Sequence, residues 1–580
     1  NILIRNHIQE RPFCFRRSLY YDRGATFNSH GFNYLSSQFL CIIFHNDNNV
    51  VSFLDLTRII YQDLCMFSYP CIHFVTRIRS LHHLKKVCPF QLNRQQNLSS
   101  QRKGNFTASK HVLYLYSISQ KKPLSSHKMT HSMQPKYLSL LFICLLSFTA
   151  IFQSSLKHDL PLSWDVWYHL RISRQFSQGE FRWDSGSFGP EGRAHTYPPL
   201  FHSMTAVLHT LTHIELETLA RIIPPFIYAF AILSFYILVK GIFGERTALL
   251  SCFFAAVSPL LLDRGLSYTP EALSFIFFNL GLYAFWKGKW KETGILGGML
   301  FLTHGLTSTA FLFVIVFYTF WAFLILRENY WSRLFLTVSV SFLVSLGWLL
   351  QGIPTFVPRG FSYPLNLYPG KLGWIQMLFA FFGLIYLSKD RKSVFVISFA
   401  GSLFLLSQFS LSLPYRFTEF LIFPVCILAG LAANEISMKF LHSEKGSALT
   451  LMVLFLLSFA QGYWYVEKYS PVVTSEEIAA FRWINQSSVK GYTIMCEWRT
   501  APILAYFSRR APVKGAYQFG SSNLTERTED TTLFYTEYPD FILEKYDVSL
   551  VYYGSEEKNQ YTEPPFNKIY STQQTGVYYQ

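Results

Sequence analysis

The chain has 580 residues, 50% of them apolar, 18% aromatic and only 15% charged, against about 25% charged in an ordinary soluble domain. That composition excludes a simple soluble fold and points to the bilayer. The formal charge of +16 suggests a nucleic-acid binder, but residues 1–128 carry 17 Lys and Arg against 5 Asp and Glu, leaving a net of only +4 for the rest, so no nucleic-acid partner is expected.

Residues 1–128 hold five of the nine Cys (Cys14, Cys41, Cys65, Cys71, Cys88) and show no sustained period of 2 or 3.6. Their apolar pieces, such as Phe39 to Phe44, are too short to span. Met129 and Met133, flanked by Lys128 and Lys136, stand just before the first long apolar run, as the start of an internal signal anchor would. Residues 1–128 are therefore expected to be a disordered or mistranslated leader.

Residues 129–472 read as mainly α, a polytopic transmembrane helical bundle of about 11 spans. The first, 137–153, opens into a long polar loop, 154–221. Spans follow near 222–239, 247–262, 271–286, 293–304, 307–326, 333–350, 373–387, 393–411, 417–433 and 447–463. Alternate short loops carry Lys240 and Arg246, Lys287 to Lys291, Arg327 and Arg333, Lys389 to Lys392, and Lys439 and Lys445. The positive-inside rule makes that side cytoplasmic, which sets loop 154–221 and the C-terminal region outside, in a cell membrane or an endoplasmic-reticulum membrane. Residues 198–215 are apolar but interrupted by His202, His209 and His213, and counting them as a span would reverse every later loop. They read as a re-entrant or interfacial helix. Residues 473–580 change composition and read as a small extracytoplasmic α/β domain. Its helices are expected at Val472 to Trp483, Pro502 to Ser508 and near Tyr538 to Tyr546, its strands at Tyr492 to Cys496, Val548 to Tyr553 and around Lys568 to Tyr579.

The loop 154–221 is too long for a connector and too aromatic for disorder. Trp167, His169, Leu170, Ile172 and Phe176 fit a short amphipathic helix on the membrane surface, with Asp165 at its N-terminus as a cap or as a reactive carboxylate. Three more outer groups stand out. Glu271 follows Pro270, and either caps the next helix or offers a carboxylate at the membrane boundary. Arg416, in Pro414-Tyr-Arg-Phe-Thr-Glu419, either snorkels and pairs with Glu419 or grips a phosphate whose lipid tail lies in the bilayer. His304 is a packing histidine or a substrate contact. Outer carboxylates with an outer arginine suit transfer from a lipid-phosphate-linked group: the arginine steadies the leaving phosphate and a carboxylate takes the acceptor's proton.

Trp164-Asp-Val-Trp-Tyr-His-Leu-Arg171, followed by Thr196-Tyr-Pro-Pro-Leu-Phe-His202, resembles the first outer loop of GT-C glycosyltransferases, most of all the catalytic subunit of archaeal-type oligosaccharyltransferases. Ser267-Tyr-Thr-Pro-Glu271 is similar to that family's second acidic motif, and Pro414-Tyr-Arg-Phe to its late arginine motif. The resemblance implies Asp165 and Glu271 as catalytic residues and Arg416 as the donor-phosphate arginine, and Arg264, in the outer turn before Glu271, is expected as a second phosphate ligand. Tyr168, His169, Tyr197 and His304 fall to the substrate. Asp165 would also be a ligand for Mg2+ or Mn2+, but Thr269 stands where the motif has an aspartate, which removes a second ligand. The acceptor motif W-W-D-Y-G is absent; its place reads Cys496-Glu-Trp-Arg-Thr500. The expectation is a membrane glycosyltransferase moving a sugar from a polyprenyl-phosphate donor to an acceptor that is not an Asn sequon. The alternatives are a divergent oligosaccharyltransferase and a non-catalytic membrane scaffold or carrier.

Overall fold

The computed structural model describes residues 135–350, 362–409, 413–440, 444–515 and 523–579. Packing divides the chain into two units, Asn1–His127 and Lys128–Gln580, and every described residue belongs to the second. The expected leader lies outside the described residues.

Helix α1 (Pro135–Lys157) is followed by an excursion of α2 (Asp165–Ser177), the antiparallel pair β1 (Trp183–Asp184) and β2 (Arg193–Ala194), α3 (Leu200–Thr212) and α4 (Leu216–Ile222). The bundle continues with α5 (Pro224–Phe243), α6 (Glu245–Ala256), α7 (Pro259–Leu266), α8 (Pro270–Trp286), α9 (Trp290–Thr303), α10 (Gly305–Trp321) and α11 (Trp331–Leu349). It closes with α12 (Trp374–Ile385), α13 (Arg391–Phe409), α14 (Thr418–Phe440) and α15 (Glu444–Glu467).

Helices stand at all eleven expected stretches, but among the described residues only six are long and apolar enough to cross a bilayer, or seven if the bent pair α6–α7 is one span. Three of the other stretches have local causes for this. Ser258 is extended before Pro259, as a residue preceding proline tends to be, and the chain bends by 64° there. The helices α9 and α12, at 14 and 12 residues, fall short of the roughly 20 needed to span. Helix α3, with 13 residues, is likewise too short to cross; it buries Phe201, His202, Thr205 and Ala206 and exposes Val207 and Leu211 on its other side.

Apolar side chains on the outside of the bundle, such as Phe335 at 71% and Ile385 at 70% exposure, are what a lipid-facing surface requires. Inside, Phe235, Phe275, Phe278, Phe420 and Phe423 form a ring cluster that joins α5, α8 and α14. With six crossing-length helices the protein is an integral membrane protein. Helices α9 and α11 approach closely along a seam of small residues. A Cβ added at Gly294 would sit 2.5 Å from Val340 Cβ, and one at Gly298 would sit 2.4 Å from Val344 Cβ. The Ser341 hydroxyl donates across this seam to the Gly294 carbonyl at 3.0 Å. Backbone proximity of this kind substitutes for the hydrophobic drive that lipid removes. Gly298→Ile is accordingly expected to cost about 1–3 kcal/mol through overpacking, read as a lowered midpoint in a thermal unfolding scan in detergent.

The region after residue 472 carries a five-stranded sheet in the order β4–β3–β5–β7–β6. Its strands are β3 (Thr493–Met495), β4 (Ala511–Pro512), β5 (Val548–Tyr553), β6 (Asn567–Ser571) and β7 (Gly576–Tyr579). β3 runs parallel to β4 and β5, while β7 is antiparallel to β5 and β6. Around it lie α16 (Ser475–Gln486), α17 (Ala501–Ser508), α18 (Leu524–Glu537) and α19 (Asp540–Lys545). A capping box starts α16: the Glu477 N–H donates to Thr474 Oγ1 at 3.2 Å and the Thr474 N–H to Glu477 Oε2 at 2.9 Å. Strand β4 and helix α18 had no counterpart in the sequence reading. Val166, Trp167, Leu170 and Phe201 from the excursion share one core with Ile478, Phe481, Leu504, Tyr506 and Leu550. The apolar face of helix α2, which its pattern suggested would lie on a membrane surface, is thus covered by protein. Ten of its thirteen residues are buried, and α17 packs on it.

Candidate active site

Helix α2 starts at Asp165, with Trp164 as its cap residue and no side-chain cap hydrogen bond. The capping role open to Asp165 is thus not the one it takes. Its carboxylate is half-buried, at a helix end whose unpaired N–H groups favour negative charge. Burial pushes its pKa up; Arg416 and Arg264 pull it down, and Glu271 and Glu419 push it up again. Asp165 thus lies within electrostatic reach of all four groups.

Those four form one buried cluster. Pro270 opens α8 and sets Glu271 in its first turn, yet the Glu271 side chain caps nothing: it pairs with Arg416 and, at 3.3 Å, with His304 Nε2. Arg416, just ahead of α14, also donates through Nε to Glu419 at 3.0 Å, and Arg264 from α7 donates to the same Glu419. His304 sits between α9 and α10, with Nδ1 2.8 Å from Thr307 Oγ1. Both expected phosphate ligands, Arg416 and Arg264, are therefore already bound to carboxylates. Arg416 keeps Nη1, with its two N–H groups, unpaired among the described residues. One oxygen of Glu271 and one of Glu419 are fully enclosed without a donor.

The excursion adds a second group. His169 lies one turn after Asp165 on α2, and residues four apart share a helix face. Its Nδ1 is 3.0 Å from His202 Nε2, and its ring packs on Tyr197 at 5.0 Å between centroids. Tyr197 in turn faces His304 at 6.4 Å. Burial holds the His169 pKa down at about 3, with Glu271 the main opposing influence. Of the residues singled out from sequence, Asp165, His169, Tyr197, Arg264, Glu271, His304 and Arg416 converge. Tyr168 faces a different set: its hydroxyl accepts from Arg193 at 3.2 Å.

That set centres on Asp184, fully buried and gripped by Arg171 and Arg193. Arg171 Nη2 reaches Asp184 Oδ2 at 3.1 Å and Ser187 Oγ at 2.7 Å. Although burial opposes ionisation, the two guanidiniums hold the Asp184 carboxyl well below the usual range. The clamp ties α2 to the β1–β2 pair and keeps the helix bearing Asp165 in place. Asp184→Ala leaves two buried guanidiniums without their carboxylate, and a loss of about 3–5 kcal/mol is expected. Faster cleavage within residues 178–199 on limited proteolysis would show it.

The segment Cys496–Thr500 also reaches this region. Trp164 Nε1 donates to the Arg499 carbonyl, and Trp164 and Trp498 meet edge to face at 5.4 Å. Glu557, fully buried, accepts the Glu497 N–H at 2.9 Å and braces the segment.

Among the described residues, no group of three or more His, Cys, Asp or Glu is placed to hold a metal ion. The Thr269 hydroxyl is enclosed without a partner, and Glu271 already serves Arg416 and His304. The donor set does not fit the Mg2+ or Mn2+ that the resemblance implies.

No family profile matches this sequence, and no curated protein does. Solved structures do match. The Archaeoglobus fulgidus oligosaccharyltransferase in its apo form aligns over 73% of this chain and 70% of its own, with a TM-score of 0.59 and 12% identity. Other structures of that enzyme hold Zn and sulfate, or an inhibitory peptide and a dolichol-phosphate. ArnT from Cupriavidus metallidurans, bound to undecaprenyl phosphate, aligns over 76% of this chain and 97% of its own, at a TM-score of 0.50 and 14% identity. The mycobacterial arabinofuranosyltransferase AftD aligns over 77% of this chain but 41% of its own, at 0.52 and 13%. At such identities the likeness is one of fold: the chain has a GT-C-like membrane fold, similar to that of these glycosyltransferases.

Proposed function

We propose that this protein is a membrane glycosyltransferase that moves a sugar from a polyprenyl-phosphate-linked donor to an acceptor hydroxyl on the extracytoplasmic face. The observation that carries the reading is the convergence of Asp165, Glu271 and Arg416 from three distant parts of the chain. Asp165 takes the proton of the acceptor hydroxyl as the new bond to the sugar's anomeric carbon forms. The bond from that carbon to the phosphate oxygen breaks, and the phosphate leaves on Arg416, with Arg264 behind it. The free Nη1 edge of Arg416 supports this role, and the upward push on Asp165 suits a base. Glu271 orients Arg416 and His304, and His169 and Tyr197 complete the substrate side. In this reading all eleven helical stretches belong to the membrane domain 129–472, the basic loops are cytoplasmic, and residues 473–580 form the outer domain.

The neighbours' bound dolichol-phosphate and undecaprenyl phosphate support the donor class. The different residues at 496–500 argue against a sequon acceptor. Incubating the purified protein with radiolabelled polyprenyl monophosphate and diphosphate sugars should release sugar from lipid. No release from any donor, with protein that still binds polyprenyl phosphate, would leave a scaffold or carrier. Transfer to an Asn-X-Thr peptide would instead make it a divergent oligosaccharyltransferase.

A further inference from the structure

We infer that His169 contacts the donor sugar: a histidine relay locks its Nε2 atom as a hydrogen-bond acceptor, and that atom takes a hydroxyl of the sugar being transferred. This rests on the glycosyl-transfer reading above.

The relay follows from donor and acceptor counting. His202 Nδ1 lies 3.2 Å from the Pro198 carbonyl, which can only accept, so Nδ1 of His202 carries the proton. A neutral imidazole has one N–H, which leaves Nε2 of His202 with a lone pair. Across 3.0 Å that lone pair meets Nδ1 of His169, which must therefore donate. The remaining nitrogen of His169, Nε2, is left as a bare acceptor. Both rings stay neutral at physiological pH, because burial holds His169 at about 3 and His202 well below its ordinary value.

The location supports the assignment. His169 shares the α2 face with Asp165 and feels the charges of Glu271, His304 and Arg416. Its Nε2 has no hydrogen-bond partner among the described residues. A ligand bound beside Asp165 and His169 would meet a carboxylate and, one helical turn away, a bare imidazole nitrogen. Neither can donate a hydrogen bond, so the ligand must bring the hydrogens. A phosphate has none to offer and would face like charge. A ring of hydroxyls has several.

Two measurements on the full chain in nanodiscs test this. Nitrogen-15 spectra of histidine-labelled protein, assigned by loss of one signal in His169→Phe, should show His169 protonated at Nδ1, and His202→Phe should abolish that tautomer. Polyprenyl-phosphate donors each lacking one sugar hydroxyl should then be compared. For one of them wild type is expected to lose about 10- to 100-fold in kcat/KM. His169→Phe should lose as much with the parent donor and become indifferent to that hydroxyl. His169→Gln, whose side-chain oxygen can reach the Nε2 position, should recover the hydroxyl dependence if the phenylalanine variant does not fold. An Nε2-protonated tautomer in wild type overturns the relay. An unchanged hydroxyl dependence in His169→Phe overturns the contact. Wild type that releases no sugar from any donor removes the glycosyl-transfer reading and the sugar contact together, while the spectra still decide the tautomer.

Discussion

Asp165→Asn is expected to lower sugar transfer roughly a thousandfold, the scale on which a positioned general base contributes. Asparagine has the shape of aspartate, and loss of the charge at this helix end is worth only about 0.3–1 kcal/mol, so thermal stability should change by less than about 1 kcal/mol. Among the described residues no backbone donor bonds the Asp165 side chain, which makes this separation clean. The pH profile supplies a second readout. A base must be deprotonated to act, so kcat/KM falls as pH drops through the pKa of Asp165. Burial raises that pKa, so the acid limb should lie above the ~3.9 of an ordinary aspartate. Glu271 is one of the charges holding it up, and Glu271→Gln should move the limb to lower pH in whatever activity remains. An acid limb that ignores Glu271, together with full activity in Asp165→Asn, would return Asp165 to a structural role.

The parts of this site that were legible in sequence are those where polar chemistry interrupts apolar runs. Glu271 and Arg416 sit at the mouths of long hydrophobic helices, where a charge is costly unless something uses it. Asp165 and His169 stood in a recognisable order with the later motifs. The partners of these residues were another matter. Asp184 is clamped by Arg171 and Arg193, and nothing in the run Arg182-Trp-Asp-Ser-Gly announces a buried carboxylate. The His169–His202 contact spans 33 positions and depends on α3 folding back against α2. Glu419 was visible as a local partner of Arg416, but its second arginine, Arg264, lies 155 residues away. The protein cover of α2 was illegible for a related reason. Periodicity reports one apolar face, whereas α2 is covered on a second side by α17, more than 300 residues later in the chain.

Arg416 poses the harder test, because it serves both the fold and the proposed chemistry. It bridges Glu271 and Glu419 in a cluster where three carboxylates, with Asp165, face two guanidiniums. Arg416→Met strips one cation from that balance and is expected to destabilise the protein by about 3–5 kcal/mol. Loss of activity in that variant alone would therefore say little. Arg416→Met combined with Glu271→Gln removes one charge of each sign and leaves the Arg264–Glu419 pair intact, so the unfolding midpoint should recover most of the loss. Affinity for sugar-free polyprenyl phosphate should not recover, since no guanidinium edge remains at that position, and a charge-assisted bond of about 1.5–3 kcal/mol corresponds to roughly 10- to 100-fold in Kd. Glu271→Gln alone gives the opposite sign. With its anionic competitor neutralised, Arg416 is freer to take a phosphate, and polyprenyl phosphate should bind more tightly than to wild type. A purely structural Arg416 predicts no tightening in Glu271→Gln and restored binding in the double variant. The two roles therefore part on the direction of a binding constant, whatever happens to turnover.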